Sequence, residues 1–186
     1  GVLLIFDEIF TGFGRTGALF AMETAGVTPD IVTLSKALTG GTLPLSCAVA
    51  RTGVFDAFWS DDPNAALMHG PTYMANPLAC AAANASLDLF EDVAWKANVA
   101  RIADGLTHGL ERCRALARVR DVRVLGAIGA VELDHSVDST QLSERFAAEG
   151  VWIRPFGRIA YLTPAFVIPD EDLAMLTGAI VRVLSE

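Results

Sequence analysis

LIFDEIFTGFGRTG, residues 4–17, and IVTLSKALTGG, residues 31–41, are the stretches on which the fold turns. In the first, a continuous apolar run over residues 2–6 stops at two adjacent acids, Asp7 and Glu8. A short apolar run without alternation is the pattern of a strand buried on both faces of a parallel sheet. In the second, the mostly apolar residues 31–34, a second buried-strand pattern, end at Ser35-Lys36, and the chain runs on to the Gly40-Gly41 turn. Between them, Thr11-Gly12-Phe13-Gly14-Arg15-Thr16-Gly17 holds too many glycines for a helix or strand interior and reads as an ordered loop. A short helix over residues 19–25 follows, stopped by Gly26 and Pro29. This length suffices for the crossover that two parallel neighbours require. The chain reads as an α/β fold with Asp7 and Lys36 at the carboxyl ends of two strands.

Outward from these stretches, residues 45–50 read as a third strand and residues 52–59 as a helix, with a turn at 60–64. Asn76-Pro77 opens an Ala-rich helix over residues 78–89, proline suiting a helix's first turn. Residues 93–114 carry apolar side chains at 99, 102, 103, 106 and 110, a helical period with an arginine-bearing outer face. Strands broken at Gly126 and Gly129 are expected over 119–133, and an amphipathic helix over 140–149 ends at Gly150. Two short strands, 151–154 and 160–162, precede a closing helix over 170–184 with Asp170 as its N-cap. Arginines become frequent near residue 92, which sets the expected boundary between parts 1–92 and 93–186.

Composition narrows the class. The chain has 186 residues, with 14 Lys+Arg against 22 Asp+Glu, a net charge of −8 and a pI near 4.8. That disfavours nucleic acid and anionic membranes as partners. Hydrophobic residues make 52% and charged ones 19%, the opposite of a disordered chain. No apolar run approaches the roughly 20 residues of a membrane span, and the opening lacks the basic region of a signal peptide. Cys47, Cys80 and Cys113 form neither a CxxC pair nor a disulfide framework, so a reducing, cytoplasmic setting is expected. His69, His108 and His135 lack metal-ligand spacing, and no metal is expected. The chain opens without Met, inside a strand-like run, and reads as a piece of something longer.

Only two lysines occur, Lys36 and Lys96. Lys96 falls on the polar side of a helix. Lys36 falls at a sheet's carboxyl rim, where α/β folds place ligands; an amine in a partly apolar site is a Schiff-base former, although a strand-end lysine also simply reaches solvent. Asp7 holds the equivalent place on the other strand, where a carboxylate either caps a turn or binds something. Together they are the pair that pyridoxal phosphate chemistry needs, an amine for the aldehyde and an acid for the pyridine nitrogen. His69-Gly70-Pro71-Thr72 offers a hydroxyl and backbone N–H groups ahead of a helix, a cradle for phosphate or an ordinary capped turn. Arg154, pinned by Pro155-Phe156-Gly157, suits a bidentate grip on a carboxylate or the surface, and Tyr161 is core or a substrate contact. The glycines of residues 12–17 do not fit a dinucleotide fingerprint.

Leu4-Ile5-Phe6-Asp7-Glu8-Ile9, the loop over residues 11–17, Pro29-Asp30-Ile31 and Ser35-Lys36-Ala37-Leu38-Thr39-Gly40-Gly41 together resemble the signature of the class III, or omega, aminotransferases. The resemblance implies a pyridoxal 5'-phosphate enzyme of fold type I. Residues 1–92 would then be the C-terminal part of the large, parallel-sheet domain and residues 93–186 the small α+β C-terminal domain. Residues 68–81 and Trp152-Ile153-Arg154-Pro155-Phe156-Gly157-Arg158 are similar to the branch acting in biotin synthesis, which aminates 8-amino-7-oxononanoate to 7,8-diaminononanoate with S-adenosylmethionine as donor. Other branches, of the ornithine, 4-aminobutyrate or beta-amino acid type, and an inert fragment are the alternatives.

By the same resemblance Lys36 would bind the cofactor covalently and shuttle protons, and Asp7 would pair with the pyridine nitrogen. Gly70, Pro71 and Thr72 would reach the phosphate of the partner subunit's cofactor in a homodimer with shared sites. Gly70, Arg154, Tyr161 and Arg15 would meet the substrates, Arg154 through the oxo acid's carboxylate. Phe10 stands where relatives often carry Ala. Members of the family are much longer, so the isolated chain is expected neither to fold stably nor to turn over alone.

Overall fold

The computed structural model of the protein describes residues 1–92 and 94–186. They fall into two compact units, Gly1–Val93 and Ala94–Glu186. The first carries a three-stranded sheet of order β1-β2-β3, formed by β1 (Ile5–Asp7), β2 (Ile31–Leu34) and β3 (Cys47–Ala50). β1 and β2 are parallel, with Ile5 opposite Ile31 and Asp7 opposite Thr33, and β3 returns antiparallel with Cys47 opposite Leu34. The first strand is shorter than its apolar run and includes Asp7. The register begins with Ile5 opposite Ile31, where β2 begins; just before it the Leu4 carbonyl accepts the Asp30 and Ile31 N–H groups at 2.8 and 3.2 Å, and the Asp30 carboxylate takes the Leu4 N–H at 2.8 Å.

The expectation that these strands are buried on both faces is not met within this chain. Ile5 is 56% and Val49 53% exposed, and all of β3 lies open. The unit's core forms instead behind the strand ends: Phe13, Leu34, Leu38 and Ala83, ringed by Phe20, Val32, Ala37, Leu45 and Phe90. Phe13 anchors the glycine-rich loop there, its ring 5.5 Å from that of Phe20 and 5.7 Å from that of Phe90. The short helix α1 (Ala21–Ala25) stops at Gly26, whose φ of 64° is the left-handed closure glycine permits. Another short helix, α2 (Thr52–Asp56), follows β3 and ends sooner than expected.

The helix α3 (Pro77–Glu91) starts as its sequence dictates. Asn76 Oδ1 accepts the N–H groups of Leu78 at 3.0 Å and Ala79 at 3.3 Å, with Pro77 in the first turn. Its small buried residues Ala79, Ala83 and Ser86 let it lie close to the turn that follows β2, and Ser86 Oγ donates to Ala37 O at 2.8 Å. This contact fixes the segment that carries Lys36.

In the second unit, α4 (Ala94–Leu110) buries Val99, Ile102, Leu106 and Leu110 at helical spacing. The expected start at Val93 lies outside the described residues. A turn of 3-10 helix, Glu111–Ala115, closes it, and burial of Cys113 pushes its thiol up to about 11. β4 (Val119–Leu125), β5 (Ile128–Leu133) and β6 (Ile159–Leu162) form an antiparallel sheet in that order. Gly126 turns the chain between β4 and β5, but Gly129 does not break a strand: it lies inside β5, opposite Val124. A Cβ there would come within 2.9 Å of Leu110 Cδ1, so its bare backbone is what lets α4 rest on the sheet.

Residues 151–154 are extended but pair with no strand, a second correction. The Val151 N–H is taken by Phe146 O, at the end of α5 (Ser139–Ala148), while Val151 and Ile153 alternate inward and Trp152 and Arg154 outward. A half-buried extended segment has the alternation of a strand without its ladder. The closing helix α6 (Asp170–Ser185) has Pro169, not Asp170, in the cap position. It packs closely on α4, where a Cβ on Gly105 would sit 2.5 Å from Leu173 Cδ2.

Arg123 lies between Asp121 and Glu132 at 2.7 Å from each, and Arg158 reaches Glu132 at 3.0 Å. Hydrogen bonds from Arg123 hold both carboxyls below their ordinary range. A carboxyl depressed in the folded state contributes stability that is complete above the unfolded pKa and lost as pH falls through the folded one. Thermal melts from pH 7 downward are expected to lose this contribution below about pH 4, and Arg123→Met is expected to flatten that loss. Among the described residues no helix is long and apolar enough to cross a membrane, and no group of three or more His, Cys, Asp or Glu side chains is set to hold a metal.

Candidate active site

The parallel pairing of β1 with β2 brings Asp7 and Lys36 to one edge, since Asp7 is in register with Thr33 and Lys36 follows three residues later. Asp7 Oδ1 accepts the Ile9 N–H at 3.0 Å and the Thr33 hydroxyl at 3.4 Å. These two donors fix the carboxylate from its own turn and from the neighbouring strand. Lys36 opens a 3-10 turn, Lys36–Thr39, with a φ of 47°, a left-handed conformation that a side chain with a Cβ seldom adopts. Such strain persists only where surrounding contacts over-determine it, and it gathers at functional sites. Ser35 Oγ donates to Leu45 O at 2.7 Å just before the turn, and Ser86 holds Ala37 just after. The exposed Lys36 ammonium lies over the Phe10 ring, 5.3 Å from its centroid.

Arg15 lies half-buried in the glycine-rich loop, and desolvation lowers its pKa. Gly70, Pro71 and Thr72 lie on the exposed segment before α3. The Pro71 carbonyl accepts the Met74 N–H at 2.9 Å, and Ala75 has a φ of 53°. Pro71, Tyr73, Met74 and Ala75 share a cleft of about 420 Å³ with Ser35, Pro44, Leu45 and Ser46. The segment expected to meet phosphate thus shares a cleft with the residue next to Lys36.

In the second unit, Arg154 is exposed beside Trp152 and lines an open groove of about 410 Å³ against Ser139, Thr140, Ser143, Glu144 and Ala147 on α5. Tyr161 lies on β6, opposite Ala130, and is 39% exposed, so it is not core. The rim of the first unit gathers Asp7, Lys36 and Phe10; Arg154 and Tyr161 belong to the second.

Three side chains have no role in the reading of the sequence: Thr33, which braces Asp7; Phe10, noted only as a departure from relatives, whose ring faces the lysine; and Glu8, which is fully buried directly beside the exposed Asp7. Strand alternation gave a usable signal for the last, because adjacent residues face opposite ways. Two adjacent acids at a strand end therefore cannot both reach the rim.

The profile of the family described as Aminotransferase class-III matches residues 1–184. Over 182 residues the chain is 49% identical to the adenosylmethionine-8-amino-7-oxononanoate aminotransferase of Mycobacterium leprae, covering 98% of this chain and 42% of that relative. It superposes on the solved enzyme of the same name from Methanocaldococcus jannaschii with a TM-score of 0.88 at 30% identity, covering 98% of this chain and 45% of that one. It is also similar to the ornithine aminotransferase of Toxoplasma gondii, described with PLP at its active site, at TM-score 0.83 and 32% identity over 99% of this chain and 43% of that one. The chain spans less than half the length of these relatives.

Proposed function

Because the chain belongs to the class III aminotransferases, we propose that it serves, within a longer polypeptide, to aminate 8-amino-7-oxononanoate to 7,8-diaminononanoate with S-adenosylmethionine as donor. This is a step of biotin synthesis. The observation that carries the chemistry is the placing of a carboxylate and an amine at the ends of two paired parallel strands. The names of the relatives favour the substrates.

The donor set fits pyridoxal 5'-phosphate: a primary amine on a strained, well-held turn, and beside it a carboxylate whose orientation is fixed by Ile9 and Thr33. When bound, that cofactor supplies an electron-accepting ring that stabilises negative charge at the carbon bearing the migrating amino group. The Lys36 amine would hold the cofactor's aldehyde and, with substrate bound, would move the proton at the carbon bearing the amino group. The Asp7 carboxylate would hold a proton on the ring nitrogen. Gly70, Pro71 and Thr72 would meet the cofactor phosphate of a partner subunit if the enzyme is a homodimer. Arg154 grips the oxo acid's carboxylate, with Tyr161, Gly70 and Arg15 around the substrates.

The test gives the full polypeptide, with pyridoxal phosphate and 8-amino-7-oxononanoate, a series of amino donors and measures 7,8-diaminononanoate by mass spectrometry. S-adenosylmethionine is the donor expected to yield product. Product only with lysine would correct the donor. Failure to aminate this acceptor, together with transfer from ornithine or 4-aminobutyrate to another oxo acid, would replace the reading by another branch of the family, which the similarity to the ornithine enzyme keeps in view.

A further inference from the structure

Glu8 is 1% exposed and has no part in the chemistry assigned to Asp7 and Lys36. Its Oε2 accepts the Thr11 hydroxyl at 2.6 Å and the Ala21 N–H at 3.0 Å, and its Oε1 accepts the Met22 N–H at 2.8 Å. Its own N–H donates to Thr33 O at 3.0 Å, and its carbonyl accepts the Gly12 N–H at 3.0 Å. One residue therefore ties together the end of β1, the end of β2, and both ends of the glycine-rich loop. Three donors converge on the side chain, so the site calls for a group that only accepts. An amide would turn an N–H toward one of them, and a buried donor facing a donor is costly.

The loop held in this way has further anchors. Gly14 N–H bonds to Leu19 O at 3.1 Å and Gly17 N–H to Gly14 O at 2.9 Å, while Phe13 pins it to the core. Arg15 sits between these fixed points. The loop also presses on Glu8 itself, since a Cβ on Gly12 would lie 2.8 Å from Glu8 O. We propose that Glu8 is a positioning residue for Arg15: its buried carboxylate clamps the loop over residues 11–20 to the rim bearing Asp7, so that the guanidinium meets a substrate carboxylate without the loop having to order itself first. The proposal rests on the functional reading above and deepens it, adding a residue that acts through Arg15 on substrate binding.

A double-mutant cycle in the cofactor-loaded full polypeptide tests it, with Glu8→Gln, Arg15→Met and the two combined. Each single change is expected to raise the KM of a carboxylate substrate about ten-fold, and Glu8→Gln is expected to leave kcat and the dissociation constant of pyridoxal phosphate nearly unchanged. The double variant is expected to be no worse than Arg15→Met alone. Additive effects, or kcat and cofactor affinity falling in step with KM, would overturn the proposal and leave Glu8 a merely structural residue. Amide hydrogen exchange reads the clamp without turnover: Glu8→Gln is expected to unprotect Ala21 and Met22 while α3 keeps its protection. Thr11→Val, which removes one donor and fills the same space, is expected to do so more mildly if Glu8→Gln does not fold. Unchanged exchange in the variant that folds would sink the clamp. A wild-type polypeptide inactive on every donor and acceptor would instead sink the functional reading, and exchange would still decide the clamp.

Discussion

Lys36→Ala is expected to lower amino transfer by the full polypeptide at least about a thousand-fold, while shifting its melting temperature little. Both halves follow from where the side chain lies. The ammonium is exposed and lies over the Phe10 ring, a cation–π contact that at an exposed site contributes roughly 0.5–1 kcal/mol. Alanine keeps the Cβ that makes the φ of 47° unfavourable, so the backbone strain is the same before and after. What disappears is the one amine that the two-strand rim presents. Lys36→Arg separates charge from chemistry: it retains a cation beside Phe10 but cannot form the covalent bond to an aldehyde, and is expected to be as inactive as alanine. Steady-state rates with melting curves on all three proteins check this, and activity surviving in either variant would remove Lys36 from the mechanism.

Residues 94–186 alone are expected to unfold in one cooperative transition in urea, and residues 1–93 alone are not. The second unit closes its own core. Ile102, Leu106 and Leu110 of α4 are fully buried together with Val131 and Leu133 of β5, Phe146 of α5 and Ile180 of α6. The first unit leaves Val2, Trp59, Met68, Tyr73, Leu78 and Leu89 largely open, with Met68 92% exposed. Apolar surface on that scale marks an interaction face or an aggregation liability, and the open strands of its sheet invite pairing with other chains. On the proposed reading, the rest of the longer polypeptide and a second subunit would cover it. The measurement is a urea titration of each unit followed by circular dichroism, with dye binding as a probe of exposed apolar surface. A cooperative, dye-silent first unit would show that its small core, built round Phe13, suffices without cover. Two cooperative units would together contradict the chain-wide instability expected from sequence.

How much of this was legible in the residues depended on whether the deciding information is local. Two apolar runs, one stopped by acids and the other by Ser35-Lys36, with a crossover's length between them, were enough for parallel strands and a shared rim. The register that sets Thr33 against Asp7 was not, because it depends on where β2 begins and on what Asp30 bonds to. Glu8 shows the same limit. Parity says that it and Asp7 face opposite ways, but only the packing of the loop decides which acid is inside. Residues 151–154 were misread because in-and-out alternation reports burial, while a strand also needs a ladder partner. Gly129 was misread as a breaker because its close neighbours, Leu106 and Leu110, are distant in sequence. The branch of the family was legible only through resemblance, since no physical rule connects residues 68–81 to a particular oxo acid.

The most direct test of the central claim is reductive trapping. The full polypeptide is loaded with pyridoxal phosphate, treated with borohydride, digested, and mapped by mass spectrometry for the lysine that carries the pyridoxyl group. The label is expected on Lys36, with its loss from that peptide when S-adenosylmethionine is added before reduction. A label on Lys96 or on any other lysine, or no covalent label at all, would contradict it.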